Sequence, residues 1–473
     1  MRLDALLAGT RAVAATLAAR GAEDTEITTV VHDTRAVVPG ALFCCVHGAA
    51  VDGHDLVDDA QAAGAVALLV ERAVPSALPQ VQVASVRDAL GPVAASFWGH
   101  PSESLVVAGV TGTSGKTTTS HLLGAVLTAH GWATSVLGTL SGARTTPEAP
   151  ELQAHLAAER DAGRRAIAME VSSHALAMGR VRATRFAVAV FTNFSHDHLD
   201  FHRDLEDYFE AKASLFTPQY SDAAVVNLDD PRGLELARRG VVPTEGYSLE
   251  DATDVVVQAT RASFTWRGQP IELALGGRFN VSNALAAATA AARLGVSPAT
   301  IAAGLRGAPS VPGRFEPVDE GQPFAVLVDF AHKPGALAGA LAAARDAAPG
   351  GRVLVVVGAG GDRDPSKRAE MGSVAVSLAD RVILTSDNPR GEDPLAIIDA
   401  LRSGMPAGAP VIVEPDRTAA IEWALGEAQA GDVVVIAGKG HEDVQVVGDR
   451  RVEHDDRVVA REVLRALRGS GRW

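Results

Sequence analysis

The sequence predicts an α/β protein with mostly parallel sheets, divided into three domains. Short apolar runs of strand length, among them Val353–Val357 and Val433–Ala437, alternate with alanine- and leucine-rich helical patterns throughout the chain. A glycine-rich turn after residue 108 joins one such run to a helical pattern. The chain has 473 residues, which is too many for one hydrophobic core. Together these observations favour parallel sheets in more than one domain.

Two interruptions of the pattern predict where the domains meet. The first is the turn-forming stretch 98–102, and the second is the proline- and glycine-rich stretch 308–313. They divide the chain into residues 1–93, 94–311 and 312–473.

The first domain contains the only two cysteines, Cys44 and Cys45, in an apolar run that is typical of a strand. Neighbouring residues on a strand point to opposite faces, so the two thiols are not expected to bond to each other. We expect both to pack in the core. Free core cysteines suit a reducing cytoplasm, which is the predicted location.

Composition and charge exclude several classes of function. The chain is 47% apolar and 4% aromatic, and its formal net charge is −14, which argues against a nucleic-acid partner. The longest apolar runs are far too short to span a membrane. Asp4 and Arg11 lie within the first helical pattern, so the N-terminus does not resemble a secretory signal.

The glycine-rich turn is the strongest functional signal. Its residues are Thr111, Gly112, Thr113, Ser114, Gly115, Lys116, Thr117 and Thr118, and an apolar helical pattern follows them. A strand, a glycine turn and a helix N-terminus form a cradle for phosphate groups, in which Lys116 can reach the outer phosphates and the Thr117 hydroxyl can bind Mg²⁺. The alternative is an ordinary glycine turn before a helix. We expect the cradle, and therefore ATP and a central sheet of the P-loop ATPase type.

Polar residues follow several of the predicted strands directly. They are Glu170, Asn193, Asp329 and the clusters 361–364, 387–390 and 438–442. Ligands of open α/β sheets bind outside the carboxyl ends of the strands. We therefore expect one large site that draws on more than one domain.

Two of these positions suggest metal binding. Glu170 lies near the phosphate turn and suits Mg²⁺ coordination, although an acid at a helix start is the alternative. Residues 192–202 contain three histidines and two aspartates. A zinc site, a solvated loop and a nucleotide site in which one histidine touches a second magnesium ion are all open, and we favour the last.

Lys212 has an unusual position in its helical pattern. Residues 204–216 place their apolar face at 205, 208, 209, 215 and 216, and Lys212 falls in the middle of that face. Burial favours the neutral form of a lysine, and a neutral amine can take up CO₂ to form a carbamate that binds Mg²⁺. The alternative is a lysine whose stem covers apolar surface while its charge stays in water.

The turn Asp387-Asn388-Pro389-Arg390 combines a carboxylate, an amide and a guanidinium. Arg390 and Arg363 could bind a carboxylate through paired hydrogen bonds, while Asp387 and Glu442 could receive an ammonium group. Together they describe a pocket for an amino acid. Each of them alone would more often belong to a surface turn.

With these residues placed, the chain resembles the Mur ligase family over nearly its full length. The matching segments are 33–35, 39–43, 111–118, 145–148, 169–176, 191–202, 208–216, 277–283, 313–316, 329–334, 361–367, 387–390 and 438–442. So many motifs in the same order are highly specific. The resemblance implies an N-terminal α/β domain for a UDP-linked substrate, a central ATP-binding domain and a C-terminal Rossmann-like domain.

The resemblance also implies a reaction. Members of the family join an amino acid to a UDP-muramoyl peptide with ATP and Mg²⁺, through an acyl phosphate, in the synthesis of peptidoglycan. The turn at 387–390 resembles that of members that add meso-diaminopimelate to UDP-N-acetylmuramoyl-L-alanyl-D-glutamate. Addition of L-lysine and a relative of the folylpolyglutamate or cyanophycin synthetase type remain the alternatives. A regulatory protein that has lost catalysis is a further one.

The resemblance assigns roles to single residues as well. Lys116, Glu170, His198 and Lys212 would be catalytic, with Thr117 and Glu170 on one Mg²⁺ and with His198 and carbamylated Lys212 on the other. Asn283, Arg314 and Asp329 would join the turn 111–118 in binding ATP. Thr34, Thr145, Thr146, Ser172, Arg180 and the residues after Gly48 would bind the UDP-muramoyl dipeptide. Arg363, Asp387, Asn388, Pro389, Arg390, Gly438 and Glu442 would bind diaminopimelate.

Some positions depart from the family pattern. Thr34 stands where serine is usual and keeps the hydroxyl, and Met178 stands where some relatives have glutamine. None of the departures lies in the phosphate turn. We expect the protein to be a monomer that takes only small-molecule substrates.

Overall fold

Five sheets and fifteen helices make up the described part of the chain. A computed structural model describes residues 1–10, 16–17, 24–48, 51–142 and 144–472, with the backbone alone at 16–17. The predicted α/β class with largely parallel sheets is confirmed, and each large sheet belongs to a different third of the chain.

The N-terminal part is a five-stranded sheet with helices on both faces. Its spatial order is β1-β5-β4-β3-β2, and every pair except β1–β5 is parallel. Its elements are α1 Leu3–Gly9, β1 Thr16–Leu17, β2 Thr29–Val31, β3 Ala41–Cys44, α2 Val57–Ala62, β4 Ala65–Val70, β5 Gln80–Gln82 and α3 Val86–Phe97. Cys44 and Cys45 are buried in the two hydrophobic clusters on opposite faces of this sheet, as the alternation of a strand predicts.

The central part begins with a six-stranded parallel sheet in the order β11-β10-β9-β6-β8-β7. Its elements are β6 Val106–Thr111, α4 Lys116–Ala129, β7 Thr134–Leu137, α5 Ala149–Asp161, β8 Ala166–Glu170, α6 Ser173–Ala177, β9 Val188–Phe191, α7 Leu205–Ala213, β10 Ala224–Asn227, α8 Pro231–Arg239 and β11 Thr244–Tyr247. The chain leaves β6 towards β8 and β7 and later returns to the other side of β6. The carboxyl end of β6 is therefore the switch point at which α/β sheets bind ligands.

A three-stranded antiparallel sheet and two helices complete the central part. They are β12 Ala252–Val257, β13 Ala262–Trp266, β14 Gln269–Leu273, α9 Arg278–Arg293 and α10 Pro298–Arg306. The alanine-rich α9 packs against α4 because small side chains let two helices approach closely, and its residues 284–288 are fully buried. The helix that follows the glycine turn, α4, is thereby packed against a second helix.

The C-terminal part is a six-stranded sheet in the order β15-β16-β20-β17-β18-β19, parallel except for β15–β16. Its elements, with one added hairpin, are β15 Glu316–Pro317, β16 Ala325–Asp329, α11 Pro334–Asp346, β17 Val353–Val357, α12 Lys367–Leu378, β18 Arg381–Leu384, α13 Pro394–Arg402, β19 Val411–Val413, α14 Arg417–Glu427, β20 Val433–Ala437, β21 Val444–Val447, β22 Arg450–Glu453 and α15 Asp456–Gly469. The strands β17 and β20 are buried on both faces, as continuous apolar runs of a parallel sheet should be.

Two details differ from the expectations. The predicted boundary at residues 93–94 falls inside α3, which continues to Phe97, and the turn after it leads to β6.

The predicted helix at 204–216 is α-helical over Leu205–Ala213 and ends in a 3₁₀ turn at Ser214–Phe216. Leu205, expected on its apolar face, is exposed because the first turn of α7 extends beyond the core. The three-way division of the chain remains a prediction.

No helix in the described part of the chain is both long and apolar enough to cross a membrane.

Candidate functional site

The glycine turn connects β6 to α4, and its two glycines have conformations that other residues rarely adopt. Gly112 has a φ of 148°, and a Cβ there would lie 1.9 Å from Thr192 Oγ1. Gly115 is the N-cap of α4 with a φ of 83°, and a Cβ there would lie 2.4 Å from Asn283 Oδ1. Glycine is required at both positions. The turn therefore presents the N-terminus of α4, a fourteen-residue helix, at the carboxyl end of β6. A helix N-terminus of this kind suits an anion.

A polar clamp after β9 holds this turn in place. Asn193 Oδ1 accepts a hydrogen bond from Ser114 N at 2.9 Å, and Thr192 Oγ1 donates to Ser114 O at 2.6 Å. The Asn193 carbonyl accepts from Thr113 N at 2.9 Å. The sequence places Asn193 at a strand end but gives it no role. The structure shows that it shapes the turn.

Two lysines donate to the same carbonyl oxygen of the turn. Lys116 Nζ lies 2.9 Å and Lys212 Nζ lies 2.8 Å from Gly112 O. Lys212 is only 1% exposed, so the inward orientation is confirmed and a charge kept in water is excluded. Burial and the Lys116 charge hold the pKa of Lys212 well below the usual lysine range. Burial likewise lowers the pKa of Lys116 to about 8. The neutral amine is therefore favoured at Lys212.

Glu170 and Thr117 form an oxygen-rich group beside the turn. Glu170 is 1% exposed, and its Oε2 accepts from Thr117 Oγ1 at 3.0 Å. Its Oε1 accepts from Thr139 N at 2.8 Å. A hydroxyl and a carboxylate are ligands that Mg²⁺ prefers. The pair fits a magnesium ion at the carboxyl ends of β6 and β8.

The three histidines of residues 192–202 have separate environments. His198 has a φ of 53° and lies 3.2 Å from Asp197 Oδ2, with its ring centroid 4.7 Å from that of His174. His202 is buried and hydrogen-bonded to Ser173 Oγ at 3.0 Å. His196 is exposed. Within the described ranges these histidines do not gather their ligand atoms around one point, so the zinc interpretation receives no support.

His198 and Lys212 meet around one aromatic ring. The Lys212 ammonium lies 4.5 Å from the centre of the Tyr208 ring, and the His198 ring centroid lies 5.7 Å from it. Burial and the Lys333 charge lower the pKa of His198 to about 3, against the opposing effect of Asp197. A neutral imidazole is the form that binds a metal. A carboxylate-like oxygen is a ligand that Mg²⁺ prefers, and an unmodified lysine amine does not offer one.

The residues predicted to bind the nucleotide surround the same turn. Asn283 is buried on α9, where its Oδ1 accepts from Thr119 Oγ1 at 3.4 Å. Arg314 donates to Thr117 Oγ1 at 3.2 Å, and its guanidinium lies 4.5 Å above the Phe330 ring. Asp329 ends β16, and burial raises its pKa to about 6. Thr111 and Thr118 are buried at the end of β6 and in the first turn of α4.

Four of the five residues predicted to bind the UDP-muramoyl dipeptide lie together beside Glu170. Thr146 Oγ1 donates to Glu170 O at 2.9 Å and accepts from Ser172 N at 3.1 Å. Arg180 Nη1 donates to Thr146 O at 3.3 Å, and Thr145 Oγ1 lies 3.0 Å from Thr139 Oγ1.

Thr34 is placed apart from this group. It begins a 3₁₀ turn in the N-terminal part, near His32, whose Nδ1 lies 3.8 Å from Glu151 of α5. Of the predicted residues after Gly48, positions 49 and 50 lie outside the described residues.

The predicted amino-acid pocket is built from three loops at the carboxyl edge of the C-terminal sheet. Asp387 and Asn388 are buried after β18, and Gly438 follows β20. A Cβ at Gly438 would lie 2.6 Å from Asp387 Oδ2, so the two loops touch. Glu442 Oε2 accepts from Asn388 Nδ2 at 2.7 Å. Burial raises the pKa of Asp387 despite the nearby cations Arg417 and Lys439.

The two arginines of the predicted carboxylate clamp both lie near Gly360. A Cβ at Gly360 would be 3.0 Å from Arg390 Nη1 and 3.8 Å from Arg363 Cγ. Arg390 donates to Gly361 O at 2.7 Å, and Gly361 packs against the Pro389 carbonyl. Arg363 is exposed. The guanidinium of Arg390 and the aliphatic stem of Arg363 thus lie beside the same loop.

The central and C-terminal sheets face each other with their carboxyl edges. Arg314 contacts Thr117, and Lys333 at the start of α11 forms an ion pair with Asp197. The predicted phosphate site and the predicted amino-acid pocket thus lie on opposite walls of one cleft. The five lysines of the sequence, at 116, 212, 333, 367 and 439, all lie in or next to these walls. The sequence analysis assigned no role to Lys333, Lys367 and Lys439. The small number of lysines in the chain is the signal that points to them.

Comparison with known proteins gives consistent results. Three family profiles match in order: "Mur ligase family, catalytic domain" over residues 26–98, "Mur ligase middle domain" over 110–291, and "Mur ligase, glutamate ligase domain" over 313–440. They cover most of the chain and match the resemblance stated above.

The three relatives described here have the same name. The UDP-N-acetylmuramoyl-L-alanyl-D-glutamate–2,6-diaminopimelate ligase of Streptomyces coelicolor is 45% identical over 94% of this chain and 94% of its own. The ligase of the same name from Gloeobacter violaceus is 44% identical, and the match covers 100% of this chain and 99% of that protein. A solved structure of a ligase with the same name superposes with a TM-score of 0.70 at 30% identity, covering 99% of this chain and 100% of the other.

Proposed function

The chain belongs to the Mur ligase family, and from this premise we propose that it joins 2,6-diaminopimelate to UDP-N-acetylmuramoyl-L-alanyl-D-glutamate with ATP. The proposal follows the names of relatives that match it end to end. The observation that carries it in this molecule is that the side chains of Arg390 and Arg363 both lie beside Gly360 in the C-terminal part. The enzyme is an ATP-dependent acid–amino-acid ligase that serves the synthesis of peptidoglycan.

The first step transfers a phosphoryl group to the dipeptide. A carboxylate oxygen of the glutamate attacks the γ-phosphorus of ATP, the bond to the bridging oxygen breaks, and ADP leaves with an acyl phosphate formed. Catalysis of such a step is mainly positioning and charge stabilisation. Lys116 and the N-terminus of α4 supply positive charge where the γ-phosphate lies, and Gly112 and Gly115 let the backbone approach it.

The second step forms the amide. The neutral amine of diaminopimelate attacks the acyl carbon, phosphate leaves, and the amine loses a proton. The residues proposed to hold the amino acid are on the C-terminal sheet, whereas the acyl phosphate lies at the central one. The Arg314–Thr117 and Lys333–Asp197 contacts support this step, because they join residues of the C-terminal part to the central site where the attack would occur.

Two magnesium sites are part of the proposal. Thr117 and Glu170 offer oxygen ligands 3.0 Å apart for one ion. His198 and a carbamate on Lys212 would hold the second, since burial lowers the pKa of the Lys212 amine and so favours the neutral form that can take up CO₂. Magnesium ions bound by these residues would neutralise part of the negative charge of the reacting groups.

Diaminopimelate is favoured over L-lysine by charge. Diaminopimelate differs from lysine by a second carboxylate, which needs a second cation in its pocket. Arg390 and Arg363 lie together at Gly360, while Asp387 and Glu442 are available for the ammonium group. A lysine-adding enzyme would leave this arginine pair without a partner.

Release of ADP tests the proposal directly. The full chain is incubated with ATP and Mg²⁺, with or without UDP-N-acetylmuramoyl-L-alanyl-D-glutamate, and with meso-diaminopimelate, with L-lysine or with neither amino acid. We expect ADP release only in the mixture that contains both the dipeptide and meso-diaminopimelate. Turnover with lysine but not diaminopimelate would overturn the substrate, and release that needs neither dipeptide nor amino acid would overturn the ligase activity.

An Arg390→Ala variant sharpens the substrate assignment. It is expected to raise the KM for diaminopimelate at least about tenfold, because one charge-assisted carboxylate contact is worth roughly 1.5–3 kcal/mol. The KM for ATP should stay the same. Arg402→Ala, in the last turn of α13, is the matched control and should change neither constant.

A monomeric state, a cytoplasmic location and substrates limited to small molecules are the remaining parts of the proposal. The location rests on the two free buried cysteines and the small-molecule substrates on the relatives' names, and the monomeric state is carried over from the sequence analysis.

A further inference from the structure

Lys439 is a fully buried charge in the pocket that we propose for the amino acid. Its exposed fraction is 0%, and its Nζ lies 3.1 Å from Glu442 Oε2, 3.3 Å from Asn388 Oδ1 and 2.6 Å from Val444 O. An ammonium group has three N–H donors and no acceptor. All three donors of Lys439 therefore have partners within the protein, and none is left for a substrate.

These contacts determine how the Asn388 amide is oriented. Its Oδ1 accepts from Lys439 Nζ and, at 2.9 Å, from Val446 N, and both of those groups can only donate. The amide NH₂ must therefore point the other way, where Nδ2 lies 2.7 Å from Glu442 Oε2. The amide oxygen of Asn388 and one of its two N–H groups are therefore engaged within the protein, and the role of Asn388 in substrate binding stays a prediction.

Glu442 is consequently held through one of its two oxygens. Its Oε2 accepts from both Lys439 and Asn388, whereas its Oε1 has no hydrogen-bond partner among the described residues. The side chain is 32% exposed although Oε2 is engaged twice. The free oxygen is thus left to bind an ammonium group in the pocket.

We propose that Lys439 is a positioning residue for diaminopimelate, which acts by holding Asn388 and Glu442 so that Glu442 Oε1 faces the ammonium group of the substrate. The inference rests on the proposed function. Lys439 does not touch the substrate, and its effect on binding passes through Glu442. Without its charge, the Asn388 amide is free to rotate and the Glu442 carboxylate loses an anchor.

The effect should be confined to the amino acid. The phosphate turn and the predicted dipeptide residues lie in the central and N-terminal parts of the chain, whereas Lys439 and its partners all lie after β18 or β20. We expect Lys439→Met to raise the KM for diaminopimelate at least about tenfold, the equivalent of ~1.4 kcal/mol. The KM for ATP, the KM for the dipeptide and the kcat at saturating diaminopimelate should change less than about threefold.

A double-mutant cycle separates positioning from a general loss of structure. ADP release is measured for the full chain, Lys439→Met, Glu442→Gln and the double variant across diaminopimelate concentrations. If Lys439 acts through Glu442, its replacement should raise the KM much less in the Glu442→Gln background than in the original chain. An equal factor in both backgrounds would overturn the inference, as would equal increases in all three KM values.

A second substitution and a comparison with the unmodified chain make the result interpretable. If Lys439→Met does not fold, as judged by thermal unfolding, Lys439→Gln decides, because it keeps a buried donor without the charge. Turnover of the unmodified chain with diaminopimelate, together with an unchanged KM in the Lys439 variant, overturns this inference but leaves the proposed function intact. Absence of turnover in the unmodified chain overturns the proposed function itself.

Discussion

At the scale of single residues, burial controls the chemistry of the titratable groups in this cleft. Lys212 and Lys116 share the Gly112 carbonyl, and two ammonium charges so close together repel each other. The buried member of the pair, Lys212, is the one whose neutral form is favoured. This environment supports the carbamate that we propose at Lys212.

We predict that Lys212→Ala lowers kcat at least about 100-fold, the usual cost of losing one preorganised charge contact. Added formate or acetate should restore part of the activity, because a free carboxylate can occupy the place of the carbamate. Lys212→Arg stays charged and should be inactive and insensitive to added carboxylate. An Ala variant as active as the unmodified enzyme would contradict the carbamate role.

The raised pKa of Asp329 predicts a pH effect on nucleotide binding. Burial raises this pKa to about 6, so the carboxyl is protonated below that pH and ionised above it. The ionised form is the better acceptor for the hydroxyl groups of a ribose. The KM for ATP should therefore rise as the pH falls below about 6, as ADP release at varied ATP will measure.

Asp329→Asn supplies the control for this pH effect. Its KM for ATP should be higher than that of the unmodified enzyme at neutral pH and should lose the rise near pH 6. If the variant keeps the same pH profile, another group is responsible.

At the scale of elements, the phosphate turn shows how local sequence and distant contacts act together. The turn needs glycine at 115 for its backbone conformation, and α9 needs the same glycine because Asn283 packs against it. The clamp from the end of β9 adds a third constraint through Asn193. The cradle is thus determined by three elements that are adjacent only in the folded sheet.

Two glycines of similar conformation allow these effects to be separated. Gly115→Ala places a Cβ 2.4 Å from Asn283 Oδ1 at a φ of 83°, whereas Gly131, at a φ of 87°, has no atom within 4 Å of an added Cβ among the described residues. We expect Gly131→Ala to cost about 1 kcal/mol of stability and to leave the KM for ATP unchanged. Gly115→Ala should also raise that KM at least about tenfold.

Thermal unfolding and ADP release measure the two quantities for each variant. Equal KM values for both variants would show that the close approach of Asn283 is unimportant for ATP binding.

At the scale of the whole molecule, two polar contacts connect the central and C-terminal walls of the cleft. Lys333 pairs with Asp197, and Arg314 reaches Thr117. Both contacts lie at the predicted phosphate site, so the relative position of the two walls and the nucleotide site are coupled. The cations of the C-terminal part thereby become part of the central site.

We predict that Lys333→Ala lowers kcat/KM for ATP about tenfold, as expected for the loss of a half-buried charge contact of roughly 1–2 kcal/mol. Small-angle scattering of the free enzyme should show a larger radius of gyration. Arg345→Ala breaks an ion pair with Asp380 inside the C-terminal part alone, and it should change neither quantity. The same kinetics in both variants would contradict a role for Lys333 in holding the two walls together.

Much of the fold and site follows from local sequence. The apolar runs predict the buried parallel strands, and the spacing in α7 predicts that Lys212 points inward, because both depend on periods of a few residues. The glycine turn predicts the phosphate cradle for the same reason. Cys44 and Cys45 lie on opposite faces of one sheet, as alternation requires.

Only the tertiary structure decides which side chains from distant strands meet. Nothing in a local period shows that Asn388 turns its amide to Glu442, that Lys439 is buried between them, or that Lys333 reaches Asp197. These contacts depend on the order of strands in the sheets and on how the two walls pack, since they join residues far apart in the chain. Local sequence therefore determines the chemistry available to this enzyme, and the packing of its domains determines which groups act together.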